Sequence, residues 1–145
     1  AIFYLARFLI KRFKKAERKK VVVKPSWVVA YERLEELRGQ NLPSEGKFKE
    51  YYTSLSFLVR EYIENRFQIK APDMTTQEFL KFLKDSGDFR EENKKLLEDF
   101  LNSCDLVKFA KYGPTINETE ESYISAKRFV NNTKETEASV SGSMS

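Results

Sequence analysis

The side chains able to do chemistry in this chain are few, and one type is missing outright: its 145 residues include no His. That removes the commonest general base and the commonest transition-metal ligand, and with them any Ser-His or Cys-His nucleophile pair. The single cysteine, Cys104, excludes an intramolecular disulfide and any multi-cysteine zinc site. It falls on an apolar helical stripe, which predicts a small buried residue. A reactive thiol needs cationic, partly exposed surroundings, and only Lys108, one helical turn away, offers a cation. Adjacent carboxylates occur at Glu35/Glu36, Glu91/Glu92 and Glu120/Glu121, all on expected solvent faces, where a carboxylate keeps its ordinary pKa and does no acid–base work. No glycine-rich phosphate loop and no DxDxDG calcium loop is present. The expectation is a protein that is not an enzyme, with no cofactor and no bound metal.

Two clusters remain. The first is Arg60-Glu61-Tyr62-Ile63-Glu64-Asn65-Arg66-Phe67, where Arg60 with Glu64 and Tyr62 with Arg66 sit at helical pairing distance. The second is Asp105-Leu106-Val107-Lys108-Phe109-Ala110-Lys111-Tyr112-Gly113-Pro114, a helix end with apolar side chains between an acid and two lysines. In one reading Asp105 bridges to Arg60 or Arg66 and ties two helices together. In the other, Arg60, Arg66, Asp105, Lys108, Lys111 and Tyr112 form a patch that docks a partner.

The elements that must position these clusters read as helices throughout. Trp27, Ala30, Tyr31, Leu34 and Leu37 recur at helical spacing after Pro25, so the pattern predicts a helix over 27–38 with Ser26 as N-cap and Gly39 as its stop. Phe48, Tyr51, Tyr52, Leu55, Leu58, Val59, Tyr62, Ile63 and Phe67 predict a long helix over 45–67. Thr75 and Glu78 have capping-box spacing before a short helix carrying Phe79, Leu80, Phe82 and Leu83 and ending at Ser86-Gly87. A fourth helix over 90–108 turns Leu96, Leu97, Phe100, Leu101, Cys104 and Val107 inward. A last one, about 116–132, starts from a second capping box, Thr115 and Glu118, and packs Tyr123, Ala126 and Val130. Residues 135–145 are small and polar and lack the apolar side chains that offset chain ordering. The expected fold class is all-α, a bundle of about five helices over 25–134, preceded by a basic juxtamembrane helix in 1–24 and followed by a disordered tail.

That leading segment is the sharpest charge feature. Residues 1–10, AIFYLARFLI, are apolar apart from Arg7, and a dense run of cations follows. Residues 1–24 hold nine Lys/Arg against one acid, net +8, whereas residues 25–145 hold 17 against 21, net −4. An apolar helix end meeting clustered Lys/Arg is how a membrane span meets the cytoplasm. The leading expectation is thus the end of a single-pass anchor in the inner (cytoplasmic) membrane with the domain on the cytoplasmic side. The apolar stretch is shorter than the roughly 20 residues that span a bilayer, so a helix lying on the membrane surface is the alternative. Either way Lys11, Arg12, Lys14, Lys15, Arg18, Lys19 and Lys20 would meet anionic lipid. Nucleic acid is not expected as a partner, because the domain behind the neck is net acidic.

Three motifs in order, RxYIExRF, then Thr-Thr-x-Glu-Phe-Leu, then CDLVKFAKYxPT with a closing RFV, resemble the cytoplasmic C-terminal domain of BatD-like proteins of the aerotolerance (Bat) loci. The residues that carry the resemblance are Arg60, Glu61, Tyr62, Arg66, Phe67, Thr75, Thr76, Glu78, Asp105, Leu106, Val107, Lys108, Phe109, Ala110 and Pro114, and the likeness runs from about Trp27 to Thr133. It implies a parent with an extracytoplasmic region, one span and this domain inside. It also implies an accessory role beside MoxR-type AAA+ ATPases and membrane-anchored von Willebrand factor A (vWA) proteins. A vWA domain that grips a partner carboxylate through its metal would find one in Asp105 or an exposed Glu. The resemblance supplies context and no mechanism.

The neck is directly testable. Each cation near an anionic surface is worth about 1 kcal/mol. Residues 1–145 should therefore co-sediment with anionic liposomes and residues 25–145 should not. Equal sedimentation would remove the neck as a lipid anchor.

Overall fold

The computed structural model describes residues 24–134. The basic helix expected over 1–24, with Lys11, Arg12, Lys14, Lys15, Arg18, Lys19 and Lys20, lies outside the described residues except for Lys24. The tail 135–145 lies outside them too. Among the described residues no helix is long and apolar enough to cross a membrane.

Five α-helices and two 3-10 turns make up the bundle: α1 (Ser26–Gly39), α2 (Phe48–Phe67), α3 (Thr76–Lys84), α4 (Glu91–Phe109) and α5 (Ile116–Thr133), with turns at Pro43–Glu45 and Ala71–Asp73. The all-α bundle expected from the periodicity is the fold observed. The differences sit at the helix ends. Pro25, not Ser26, holds the N-cap position of α1, and no side chain caps that end. Its carbonyl takes the Val28 and Val29 N–H groups at 3.1 and 3.2 Å. A residue without an N–H loses nothing at a helix start. The long helix begins at Phe48 instead of 45, because Pro43–Glu45 winds as a 3-10 turn and Gly46 then reverses the backbone at φ +75°, where a Cβ is costly. Only half of the first capping box forms, Thr75 Oγ1 accepting the Glu78 N–H. The second box is complete, Thr115 Oγ1 taking the Glu118 N–H while Glu118 Oε1 takes the Thr115 N–H, both at 3.1 Å.

Helix α2 is the hub. It contacts α1, α4, α5 and the Ala71–Asp73 turn, while α3 packs against α4. Burial on so many sides explains why Tyr51, Tyr52, Leu55, Leu58, Val59, Tyr62 and Ile63 are all interior. Polar contacts set the directions. Arg33 pairs with Glu61 at 2.9 Å, which runs α1 antiparallel to α2. Tyr52 OH meets Ser122 Oγ at 3.0 Å and Tyr62 OH meets Thr133 Oγ1 at 2.8 Å, so α5 runs parallel to α2. Asn132 Nδ2 donates to Asn93 Oδ1 at 3.2 Å, which closes α5 antiparallel onto α4. One end of the bundle therefore holds Lys24 and the C-terminal ends of α2 and α5. The other holds the C-terminal ends of α1 and α4 and the start of α2.

Leu97, Phe100, Leu101, Cys104 and Val107 turn inward from α4 as the spacing predicts, but Leu96 is only partly buried. Phe129 joins Tyr123, Ala126 and Val130 in the core, and its ring meets Tyr62 edge-on at 6.2 Å. Cys104 is 0 % exposed. Burial pushes its thiol up to about 12, with Asp105 adding to the rise and Lys108 and Arg60 opposing it. A thiol reagent such as DTNB at pH 8 should leave the folded chain unlabelled over a time in which denatured chain reacts fully. Prompt labelling of native protein would show that the seam between α2 and α4 is open.

Candidate functional site

The polar residue that organises the centre of the molecule is Arg60. It is 7 % exposed, on the face of α2 that meets the second 3-10 turn. Its Nη1 donates to the carbonyls of Ala71 at 3.1 Å and Met74 at 2.5 Å, and its Nη2 donates to Thr76 Oγ1 at 2.7 Å. Burial lowers its pKa and the charge of Asp105 raises it, and an arginine stays protonated under both influences. The bridge expected from Asp105 to Arg60 or Arg66 is replaced by this arrangement. The guanidinium spends its fork on backbone acceptors and a hydroxyl, and Asp105 acts on it through space. The expected Arg60–Glu64 pair does not form either, because Arg60 points at the turn and Glu64 is exposed. The planar fork suits Arg60 to acceptors held apart by a turn.

Arg66 lies in the last turn of α2, beyond Arg60 and away from the turn that Arg60 meets. Its Nε donates to the Thr133 carbonyl at 3.1 Å, and its guanidinium sits 4.6 Å from the Phe67 ring centroid. Five of the six docking candidates, Arg60, Asp105, Lys108, Lys111 and Tyr112, therefore share one region and Arg66 is separate from it.

That region is the C-terminal end of α4, where three open grooves meet. One of about 390 Å³ is lined by Ser56, Phe57, Arg60, Met74, Thr76, Asp105, Lys108 and Phe109, among others. A second, of about 340 Å³, runs between Phe48, Lys49, Lys108, Phe109, Lys111, Tyr112 and Pro114. A third, of about 400 Å³, has Leu96, Asp99, Leu106, Tyr112, Glu118 and Glu121 in its walls. Phe109, 74 % exposed, separates the first two, and Leu106 (51 %), Tyr112 (46 %) and Phe57 (49 %) extend the apolar surface on either side. Four of the seven large apolar side chains that are exposed among the described residues thus border these grooves. Ser56 Oγ, beneath the first groove, is buried and has no hydrogen-bond partner in the structure.

The backbone beyond Phe109 turns through a left-handed residue, as it also does at Asn41 and Gln68. Lys111 adopts φ +57°, the left-handed conformation that a residue just past a helix normally leaves to glycine. For a residue with a Cβ that conformation costs about 1–2 kcal/mol. The Leu106 carbonyl takes both the Ala110 and the Tyr112 N–H at 3.1 Å, which holds the turn. Tyr112 OH then donates to Glu118 Oε2 at 2.8 Å. The Thr115 N–H first and the Tyr112 hydroxyl second hold the Glu118 carboxyl below its usual range. That shift is opposite to what a general acid needs. Lys49 is in the first turn of α2, where the helix dipole disfavours a cation by about 0.3–1 kcal/mol.

Phe57, Leu106 and Ser56 were not among the site residues read from the sequence. The available signal was an aromatic off the inward stripe of α2, and Phe57 sits between the inward Ser56 and Leu58. No pattern in the chain announces that the Met74 and Ala71 carbonyls face Arg60. Among the described residues no group of His, Cys, Asp and Glu is arranged to hold a metal ion. No family model matches the chain, and no curated protein or solved structure matches it.

Arg60→Ala strands two carbonyls and a hydroxyl in the interior and should destabilise the fold by about 3 kcal/mol. Asp105→Ala removes only a through-space charge interaction and should cost less than about 1 kcal/mol. Urea unfolding of the two variants checks the order, and a larger loss at Asp105 would return that residue to the structural role.

Proposed function

We propose that residues 24–134 are a non-catalytic docking module, held at the inner face of a membrane by the segment before them, that takes a protein partner on the end of the bundle bearing Phe109. One observation carries this reading: Phe57, Leu106, Phe109 and Tyr112 gather around three adjoining grooves at a single end. The charged groups between them, Arg60, Asp105, Lys108 and Lys111, supply orientation. The position of that end supports it as well. Lys24 is at the opposite end of α2, and a helix of that length spans about 30 Å. A domain tethered through Lys24 thus presents Phe109 away from its tether. The resemblance to BatD-like cytoplasmic domains makes a MoxR-type ATPase or a vWA domain the first partner to try.

A photo-crosslinking residue placed at Phe109 in the intact protein, in its own cells, tests the reading, with Ile124 on α5, an exposed apolar residue away from the grooves, as the control. Protein adducts at 109 and not at 124 are expected. Equal adducts at both positions, or none at either, would overturn it, and adducts with lipid at 109 would move the function to a membrane-surface module.

A further inference from the structure

We infer that the groove between Phe48, Phe109 and Tyr112 receives an acidic segment of the partner, anchored by one aromatic or large aliphatic side chain. This deepens the docking reading above and depends on it. Lys49, Lys108 and Lys111 ring the groove and no carboxylate lines it. Elsewhere six cations sit on acids: Lys24 on Glu32, Arg33 on Glu61, Arg38 on Glu120, Lys47 on Glu45, Lys94 on Glu91 and Lys95 on Asp99. Among the described residues the groove lysines have no carboxylate within ion-pair distance. The described residues hold 18 Lys/Arg against 19 Asp/Glu, net −1, and this one groove gathers three of those cations with no acid in its lining.

Two of the three are placed against local energetics. Lys108 is at a helix C-terminus, where a cation is favoured, and its ammonium lies 5.0 Å from the Phe109 ring centroid. Its position needs no partner. Lys49 is at the wrong end of α2 for its charge, and Lys111 stands where glycine is the easier choice. Both project the same charge onto the same groove. With no acid in the lining to answer them, these charges are open to an anionic partner.

The surroundings select among anionic partners. Across the ridge formed by Leu106 and Tyr112, the next groove carries Asp99, Glu118 and Glu121. A nucleic-acid backbone continuing past the lysines would run into these acids, and its phosphates repeat without interruption. An anionic membrane would press on both grooves at once. A protein segment can place its acids on the lysine side only, and its apolar side chain against Phe109. The adjoining charges of opposite sign then fix its direction.

The test is fluorescence polarisation of the full 145-residue chain with a labelled dodecapeptide of Glu and Asp around a central Phe-Leu pair. Lys49→Glu with Lys111→Glu should weaken binding at least tenfold, and Phe109→Ser should do the same. Lys81→Glu with Lys84→Glu, on exposed positions of α3, makes the same charge change and should leave the affinity within about twofold, which separates the groove from general attraction to the basic neck. All these positions are exposed, and thermal melts should show them folded. Equal losses in the two double variants, no loss in Phe109→Ser, or tighter groove-dependent binding of anionic vesicles or oligo-dT would each overturn the inference. Protein cross-links at 109 without groove-dependent peptide binding would leave the docking reading standing and remove the acidic segment from it.

Discussion

A guanidinium taken out of water must be met by acceptors, and in this fold the acceptors come from a turn that would otherwise have little reason to hold its shape. Arg60 reaches from the hub helix to the carbonyls of Ala71 and Met74 and to the Thr76 hydroxyl. Those contacts fix where the chain goes after α2 and where α3 begins. The position of α3 against α4 follows, and with it the wall of the groove that contains Met74, Thr76 and Asp105. An apolar residue at position 60 would leave these backbone groups without a donor from the protein. The buried cation thus works as a local clamp between sequence-distant backbone segments, and the through-space field of Asp105 offsets part of its desolvation.

The rest of the bundle is built outward from α2. Its neighbours meet it through aromatic side chains that bring a hydroxyl to the seam, Tyr52 to Ser122 and Tyr62 to Thr133. Tyr62 and the Arg66 guanidinium both converge on Thr133, so the last turn of α5 is held by two side chains from one helix. Such contacts choose a register among the several that apolar packing alone would accept. The surface pairs Arg38–Glu120 and Arg33–Glu61 point the same way but add little stability, because they are exposed or half-exposed.

The helices were legible because their cores are written at 3.6-residue spacing: Leu55, Val59 and Ile63, or Leu97, Leu101 and Cys104, can only be one buried face. The starts and stops were less so. Ser26 reads as a cap until Pro25 takes the position, and Glu45 reads as helix until a 3-10 turn intervenes. Both are matters of one or two backbone angles, which competing local options decide by fractions of a kcal/mol. Five of the six docking candidates do gather at one end, because helix phase and chain reversal place the cluster 105–114 beside the start of α2. Arg66 falls away because it lies further along α2 and on another side of it. The partners of Arg60 were illegible, since a backbone carbonyl carries no signature in the side-chain alphabet.

Helices α1 and α5 lie side by side in opposite directions, with the Lys134 ammonium 5.6 Å from the Tyr31 ring and Tyr31 OH bonded to Asn131 Oδ1. The two ends of the domain are therefore neighbours, within about two helical turns of Lys24. A domain whose two ends adjoin would hang from any attachment as a pendant and would not act as a link in series. Tension between whatever precedes Lys24 and whatever follows Lys134 would be borne across the Tyr31–Asn131 contact, which opens like a zipper from that end. The hub helix would share the load only at its C-terminal end, where Tyr62 and Arg66 hold Thr133, and the grooves at its other end would be spared until α1 or α5 had peeled away.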